Sequence, residues 1–510
     1  MRHQSVLLRA ISRNLTLFAL FLTVAILSLR QIHLVTADLG RHITNGKALL
    51  ENSTVLNTNF YSYTYPEEPF VNHHWGSGLL FYGIYQWLGF DGLSFLHMIL
   101  TVTAFALIFL VSKNLTSTTD AALASLVVLP LLISRSEIRP ELFSFVMTGA
   151  FYYILASWRT NRLSSNWLAL LPLLMIIWVN LHIYFFMGPL LIALFALDTK
   201  DRQAFRDLVT IFSLTLAAMF VSPMSLEIAL YPLRIFENYG YMIAENQSVP
   251  FFWQRDMVIS GYGSFHGTTL ALGISIGLLA LMKTPFSRAF VAIAFITWAL
   301  ALSAIRNFAL FGLCAIPALA MVGYIMDATR LRFAWRILLI SVAFCGLYYD
   351  FSRLAPTLKY TWGSGLAPGV NSSAEFFKRE NLQGPIFNNY DIGGYLIYHL
   401  FPDARVFVDN RPEAYPSDFF EKKYMPMQED DNIWGQSLVK YRFNTIYFYL
   451  RDNTPAGQKF LISRVGDPNW VPIYVDQDAI IFVRNTASNQ AVIEKYALPR
   501  EMFRVSSKAN

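Results

Sequence analysis

The chain has 510 residues, 55% of them hydrophobic and 15% charged, with a formal net charge of +6. Soluble domains carry about 25% charged residues, so the composition excludes a chain that is soluble throughout. The positive balance reads as basic loops beside a membrane rather than a nucleic-acid footprint.

Met1–Arg13 is basic through Arg2, Arg9 and Arg13, and the apolar run after it is long and lacks a small-residue cleavage site. That pattern predicts a retained span rather than a removed signal peptide. A hydrocarbon core takes about 20 apolar residues per helix. Apolar runs at 14–34, 93–112, 120–135, 141–158, 166–181, 183–198, 206–222, 267–283, 287–304, 308–326 and 333–350 predict a polytopic α-helical membrane part of about eleven transmembrane helices. Lys113, Arg159, Arg162, Lys200, Arg202, Arg206, Lys283, Arg288, Arg330, Arg332 and Arg336 all fall in loops on the side of the N-terminus. Lys and Arg favour cytoplasmic loops, so the N-terminus is expected inside. An odd number of spans then puts the C-terminal part outside, with the long loops 35–92 and 223–266 and the turn 135–140. The expected location is a cytoplasmic (inner) membrane, with the C-terminal domain periplasmic or extracellular.

Residues 351–510 hold 18 of the 40 basic and 17 of the 34 acidic residues, a near-neutral and much more charged segment. This divides the chain into a membrane part (1–350), a linker with Gly363, Gly365, Pro368 and Gly369 (351–370), and an outer domain (371–510). Apolar β-branched runs at 385–387, 404–408, 445–450, 471–475 and 479–483 predict strands. Helical patterns fit 372–380, 391–400, 417–425, 433–441 and 456–465. The alternation predicts a small soluble α/β domain. Cys314 and Cys345 both lie in apolar stretches, so no disulfide framework is expected in the outer domain.

The first outer loop carries the densest polar chemistry. Asp38 lies just past the first span with His42 four residues on, a spacing that shares one helix face. Asn72, His73, His74 and Trp75 precede the return to apolar sequence. A carboxylate at a membrane surface beside imidazoles suits chemistry on a lipid-carried substrate; an ordinary interfacial loop, with Asp38 as a helix cap, is the alternative.

Short motifs recur along the chain: D-L-G-R-H-I-T-N-G at 38–46, F-Y-S-Y-T at 60–64, N-H-H-W at 72–75, W-V-N-L-H at 178–182, S-P-M-S-L at 222–226 and I-R-N-F-A-L-F at 305–311. The outer domain adds N-N-Y-D-I-G-G-Y-L at 388–396 and V-F-V-D-N-R-P-E at 406–413. With these the chain resembles the polytopic glycosyltransferases of the C-type fold, which use polyprenyl-phosphate sugar donors, and more closely a bacterial group that appends a C-terminal outer domain. The resemblance implies that Asp38 is the catalytic general base, activating an acceptor on a glycan, a lipid or a protein. A partly desolvated carboxylate has a raised pKa and suits that task. Where relatives often have an acidic residue before the F-S-x-T stretch, this chain has Asn59. Where they have W-L-x-E, it has Trp75-Gly76-Ser77-Gly78. A second carboxylate is therefore not evident, and a divalent metal stays open, with Asp38, His42, His73 and His74 as its ligands.

A lipid phosphate calls for cations. Arg135, Arg139, Arg255 and Arg306 lie on the outer side, and Arg makes bidentate phosphate contacts. Asn180 and His182 either line the cavity or cap a helix end. Gly393-Gly394 reads as tight strand–helix packing or an anion site. Asp409, Arg411 and Glu413 end a predicted strand, where binding groups often sit; acceptor contact and a salt-bridged strand end are the two readings. Two rivals to the transferase remain at this level: a lipid-linked glycan transporter, for which no repeat is visible, and a non-catalytic scaffold of a cell-surface polysaccharide assembly.

Overall fold

A computed structural model describes residues 2–135, 137–234, 240–257, 259–282, 287–326, 330–354, 362–452 and 454–503. Lys283, position 136 of the outer turn, 235–239 and 258 of the second long loop, and 355–361 of the expected linker lie outside the described residues.

In chain order the helices begin with α1 (Arg2–Ser28), α2 (Leu39–Asn52), α3 (Trp75–Leu115), α4 (Thr118–Ile133) and α5 (Glu141–Arg159). They continue with α6 (Leu170–Val179), α7 (Met187–Asp198), α8 (Arg202–Ala218), the short α9 (Ser225–Leu230) and α10 (Val249–Gln254), α11 (Tyr262–Met282), α12 (Arg288–Ser303), α13 (Phe308–Ile325) and α14 (Arg330–Leu354). Each apolar run expected to span coincides with one of these. Among the described residues, Trp75–Leu115, Tyr262–Leu281, Ile305–Gly323 and Leu331–Arg353 are long and apolar enough to cross a membrane, and five further apolar helices are shorter.

Two expectations change. α1 ends at Ser28, six residues early, because Arg30 and Ile32 leave the helix to bridge Trp362 and Leu366. The stretch 35–92 is not a long loop, since it contains α2 and the first half of α3. α3 is two helices joined at Gly89, whose φ of 60° departs from helical geometry.

The chain forms two compact units, Met1–Gln31 with Asp91–Leu233 and Met242–Ser364, and Ile32–Phe90 with Arg234–Tyr241 and Gly365–Asn510. In the first, α4 packs on α11, α13 and α14. The fully buried Asp120 carboxylate accepts from Arg332 at 2.5 Å and Arg336 at 2.8 Å. A buried charge needs such partners, and here they fasten α4 to α14.

The second unit holds a four-stranded sheet in the order β1 (Ile386–Asn388), β2 (Thr445–Tyr449), β4 (Ala479–Arg484), β3 (Trp470–Val475). β1 and β2 run parallel; β4 is antiparallel to both β2 and β3. Helices α15 (Ser372–Arg379), α16 (Gly393–Leu400), α17 (Met425–Glu429), α18 (Asp431–Tyr441), α19 (Pro455–Gly466) and α20 (Gln490–Tyr496) complete it. Phe387, Phe407, Trp434, Phe448, Phe460 and Trp470 lie at its apolar core.

The strand expected at 404–408 does not form. Val406 makes one isolated bridge, to Ser62. Side chains take the hydrogen bonds that a neighbouring strand would have made: Asn388 donates to the Val408 carbonyl and accepts from Phe407 N–H, and Ser62 and Thr64 donate to the Phe407 carbonyl. This ties the polar stretch 59–64 to the outer domain.

Helix α2 is wedged within this unit by two glycines. A Cβ at Gly46 would lie 2.2 Å from the Gly78 carbonyl oxygen of α3, and one at Gly40 would lie 2.9 Å from the Tyr398 Cβ of α16. No side chain fits at either distance. Gly240 and Tyr241 also belong here, the Tyr241 ring lying 4.3 Å from that of Tyr390.

Candidate active site

Asp38 occupies the N-cap position of α2, and His42 N–H donates to its carbonyl at 3.0 Å to close the first turn. Its carboxylate does not cap the helix. Instead Asp38 Oδ1 accepts from Asn410 Nδ2 and lies 3.7 Å from the Arg41 guanidinium. Arg41 Nε donates in turn to Asn410 Oδ1 at 3.2 Å. Arg41 is 8% exposed at its side chain and Asp38 22%, so the pair is largely sheltered while the carboxylate keeps access to solvent. Arg41 was missed by sequence reasoning, yet i,i+3 spacing brings it to Asp38 as surely as i,i+4 brings His42.

Around this carboxylate the turn 409–414 is rigid. Asp409 and Arg411, under 2% exposed, form a bidentate ion pair at 2.7–2.8 Å. Asn59 accepts from Arg411 at 2.6 Å and Tyr415 donates to Asp409 at 3.1 Å. The Arg411 guanidinium also lies 4.7 Å from the Phe70 ring centre. Neither Asp409 nor Arg411 faces outward as a strand-end contact would. Glu413 is the part-exposed member of the trio, and burial raises its carboxyl above the ordinary range against the pull of Arg41 and Arg411. Gly393 serves close packing: a Cβ there would lie 2.4 Å from the Asp409 Cα.

His42 is buried, its ring edge-on to His74 at 5.4 Å. His73 and His74 lie 3.9 Å apart, with His73 Nδ1 3.0 Å from the Val71 carbonyl. Asn72 and Trp75 form the turn into α3, Trp75 N–H donating to the Asn72 carbonyl at 3.3 Å. Among the described residues no group of three or more His, Cys, Asp or Glu side chains is placed to hold a metal ion.

The other unit gathers three of the four expected arginines. Arg135 donates to Glu141 at 2.6 Å and to Glu245 at 3.0 Å; Arg139 donates to Glu137 at 2.7 Å and to both oxygens of Glu245 at 2.7 and 2.8 Å. Burial would raise the Glu245 carboxyl, but Arg139, Arg135 and Arg306 hold it far below the ordinary range. Arg306 donates to Asn246 at 2.8 Å. Two buried nitrogens, one terminal on Arg135 and the Nε of Arg306, have no hydrogen-bond partner among the described residues. Buried N–H groups are rarely left so. The glutamates were not foreseen. Arg255 is exposed and stacks 3.9 Å over Phe251 instead.

Asn180 and His182 have structural partners. Asn180 donates to the Ile176 and Val221 carbonyls at 2.8 and 2.9 Å. His182 is buried, with Nδ1 2.8 Å from the Ser144 hydroxyl, and caps the turn Ile183–Phe186.

No family model and no curated protein matches the sequence. Solved structures do. The oligosaccharyltransferase of Archaeoglobus fulgidus, tethered to an acceptor peptide containing the NVT sequon, matches with a TM-score of 0.61 at 11% identity, covering 92% of this chain and 74% of that one. Its complex with zinc and sulfate matches at 0.57 and 12%, covering 91% and 73%. ArnT of Cupriavidus metallidurans, bound to undecaprenyl phosphate, matches at 0.50 and 14%, covering 92% and 97%. The chain has the C-type glycosyltransferase fold. Within that fold, four of the described helices are long and apolar enough to cross a membrane, and the small sheet lies in the C-terminal part.

Proposed function

We propose that the chain is a membrane glycosyltransferase that moves a sugar from a polyprenyl-phosphate-linked donor to a glycan, lipid or protein acceptor at the outer face of the cytoplasmic membrane. The observation that carries this reading is the half-buried Asp38 carboxylate, held by Asn410 and Arg41, in a chain of the C-type fold. Asp38 acts as general base and takes the proton from the acceptor's nucleophilic atom. The electron pair so released forms the bond to the anomeric carbon. The bond from that carbon to the phosphate oxygen breaks, and its electron pair leaves with the lipid phosphate.

The leaving phosphate gains a negative charge, and charge-assisted hydrogen bonds from guanidinium groups suit it. Buried nitrogens of Arg135 and Arg306 without a hydrogen-bond partner among the described residues support these two as phosphate-binding residues of the first unit, where Arg135 and Arg139 share Glu245. His42 on α2 and His74, whose ring meets it edge-on, line the substrate region in this reading. The undecaprenyl phosphate in ArnT supports a lipid phosphate donor. The zinc and sulfate in the Archaeoglobus enzyme support testing for a divalent ion, although no step above uses one. The loop-charge pattern supports a cytoplasmic N-terminus and an outer C-terminal domain.

The test compares knockout, wild-type and Asp38→Asn strains by mass spectrometry of polyprenyl-phosphate sugars and surface glycans. The expected result is an Asp38→Asn protein made at the normal level whose strain lacks the same glycosylated product as the knockout. Wild-type product from Asp38→Asn would remove Asp38 as the base.

A further inference from the structure

In the first unit, helices α11 and α14 pack at backbone distance. A Cβ at Gly263 would lie 2.7 Å from the Tyr349 Cδ1, one at Gly267 2.9 Å from the Val342 Cγ1, and one at Gly346 3.0 Å from the Ser264 Cα. Asp350 locks the pair. Its carboxylate accepts from the Gly263 and Ser264 N–H groups at 2.7 and 3.2 Å and from the Ser264 hydroxyl at 2.7 Å. These N–H groups are orphan donors of the α11 N-terminus, so Asp350 is committed to that helix end.

Beside this joint the two helices and α10 line a groove of about 400 Å³. Trp253, Tyr262 and Tyr349 give it aromatic walls, and Asp256, His266 and Arg353 are its polar groups. The Arg353 guanidinium lies 5.8 Å from the Tyr349 ring centre, and the His266 ring 4.5 Å from that of Tyr262. Among the described residues neither Arg353 nor Asp256 forms an ion pair, and both are exposed.

Both α11 and α14 are long and apolar enough to cross a membrane. The 21 residues of α11 rise about 30 Å, the thickness of a hydrocarbon core. The groove sits where α11 begins and α14 finishes, which is then headgroup depth, where Trp and Tyr collect. On α14, Phe344, Tyr348 and Phe351 are exposed, an apolar face for acyl chains.

We propose that this groove seats a zwitterionic aminophospholipid, with its phosphodiester on Arg353 and its ammonium on Asp256. A guanidinium matches phosphate oxygens with paired donors, and a carboxylate offers only acceptors, which an ammonium fills. One cation and one carboxylate match the two charges of that headgroup. An anionic headgroup without an amine would leave Asp256 facing phosphate. A polyprenyl phosphate carries more negative charge and no amine, so this occupant is not the sugar donor, and Asp38 has no part in holding it.

The test is native mass spectrometry of the delipidated full-length protein in detergent. Phosphatidylethanolamine, phosphatidylglycerol of the same acyl chains and undecaprenyl phosphate are offered in equal amounts. Wild type is expected to retain phosphatidylethanolamine roughly tenfold over the other two. Arg353→Gln should lower the phosphatidylethanolamine-bound fraction roughly tenfold. Asp256→Asn should keep phosphatidylglycerol and bring the two phospholipids to equal retention. Asn tolerates the left-handed backbone at this position, where φ is 49°. That readout is a ratio within one sample, which loss of folded protein does not move. Equal retention of all three lipids by wild type, or a preference for either of the other two, overturns the proposal. So does a ratio that Asp256→Asn leaves unchanged, or a bound fraction that Arg353→Gln leaves unchanged.

Discussion

Glu413 is a carboxyl that folding makes harder to ionise. Burial raises its pKa above the ordinary 4.5, with Arg41 and Arg411 opposing and Asp409 adding to the rise. An acid whose folded pKa is raised contributes stability that is complete below the unfolded pKa and is lost as pH rises through the folded one. Glu413→Gln is therefore expected to raise the Tm of the detergent-solubilised protein at neutral pH and to change it little at pH near 4.5. A thermal-shift series reads this directly; an unchanged or lower Tm at neutral pH contradicts it. Single residues were legible in the sequence where local spacing sufficed. Asp38 and His42 share one turn of helix; Arg41 lies on the same turn and was still passed over. Asn410 was quoted within V-F-V-D-N-R-P-E without a role, because its partners are 369 and 372 residues away.

At the scale of elements, periodicity and apolar length found the longer apolar helices, since both are local properties, but missed α2, α9, α10 and α20. The missing strand at 404–408 has the composition of a strand, but Val406 alone is bridged, through the backbone of Tyr61 and Tyr63, and Phe407 and Val408 bond to side chains of Asn388, Ser62 and Thr64. Composition does not reveal that. The glycines of α2 make the packing testable. Gly46→Ala would drive a methyl group into the Gly78 carbonyl, 2.2 Å away. We expect protein levels in the membrane to collapse. Gly435, inside α18, has nothing within 4 Å of its would-be Cβ. Gly435→Ala should stabilise the outer part by about 0.5–1 kcal/mol through helix propensity, read as a higher Tm. Destabilisation by Gly435→Ala, or tolerance of Gly46→Ala, would mean that the helix contacts differ from those described.

For the molecule as a whole, the charge asymmetry along the chain yields a topology with a direct check. In a variant with Cys314 and Cys345 replaced by serine, Lys422→Cys is expected to react with a membrane-impermeant maleimide in intact spheroplasts. Arg202→Cys should react only after the membrane is opened. Both wild-type side chains are exposed, so accessibility within the fold does not decide the outcome. Labelling of both from outside would refute the inside assignment of the basic loops. The grouping of 32–90 with 365–510 escaped the sequence reading, because local sequence carries no mark of which segment several hundred residues away it will pack against.

That grouping also sets a clock. Asp38 and its amide partner are 372 residues apart. At roughly 5–20 residues per second, a ribosome reaches Asn410 roughly 20–75 s after Asp38 has been made. Throughout that interval α2 has no α16 to rest its Gly40 face on, and the carboxylate has no amide to orient it. An unfinished chain thus carries Asp38 without its Asn410 contact until the turn 409–414 has emerged.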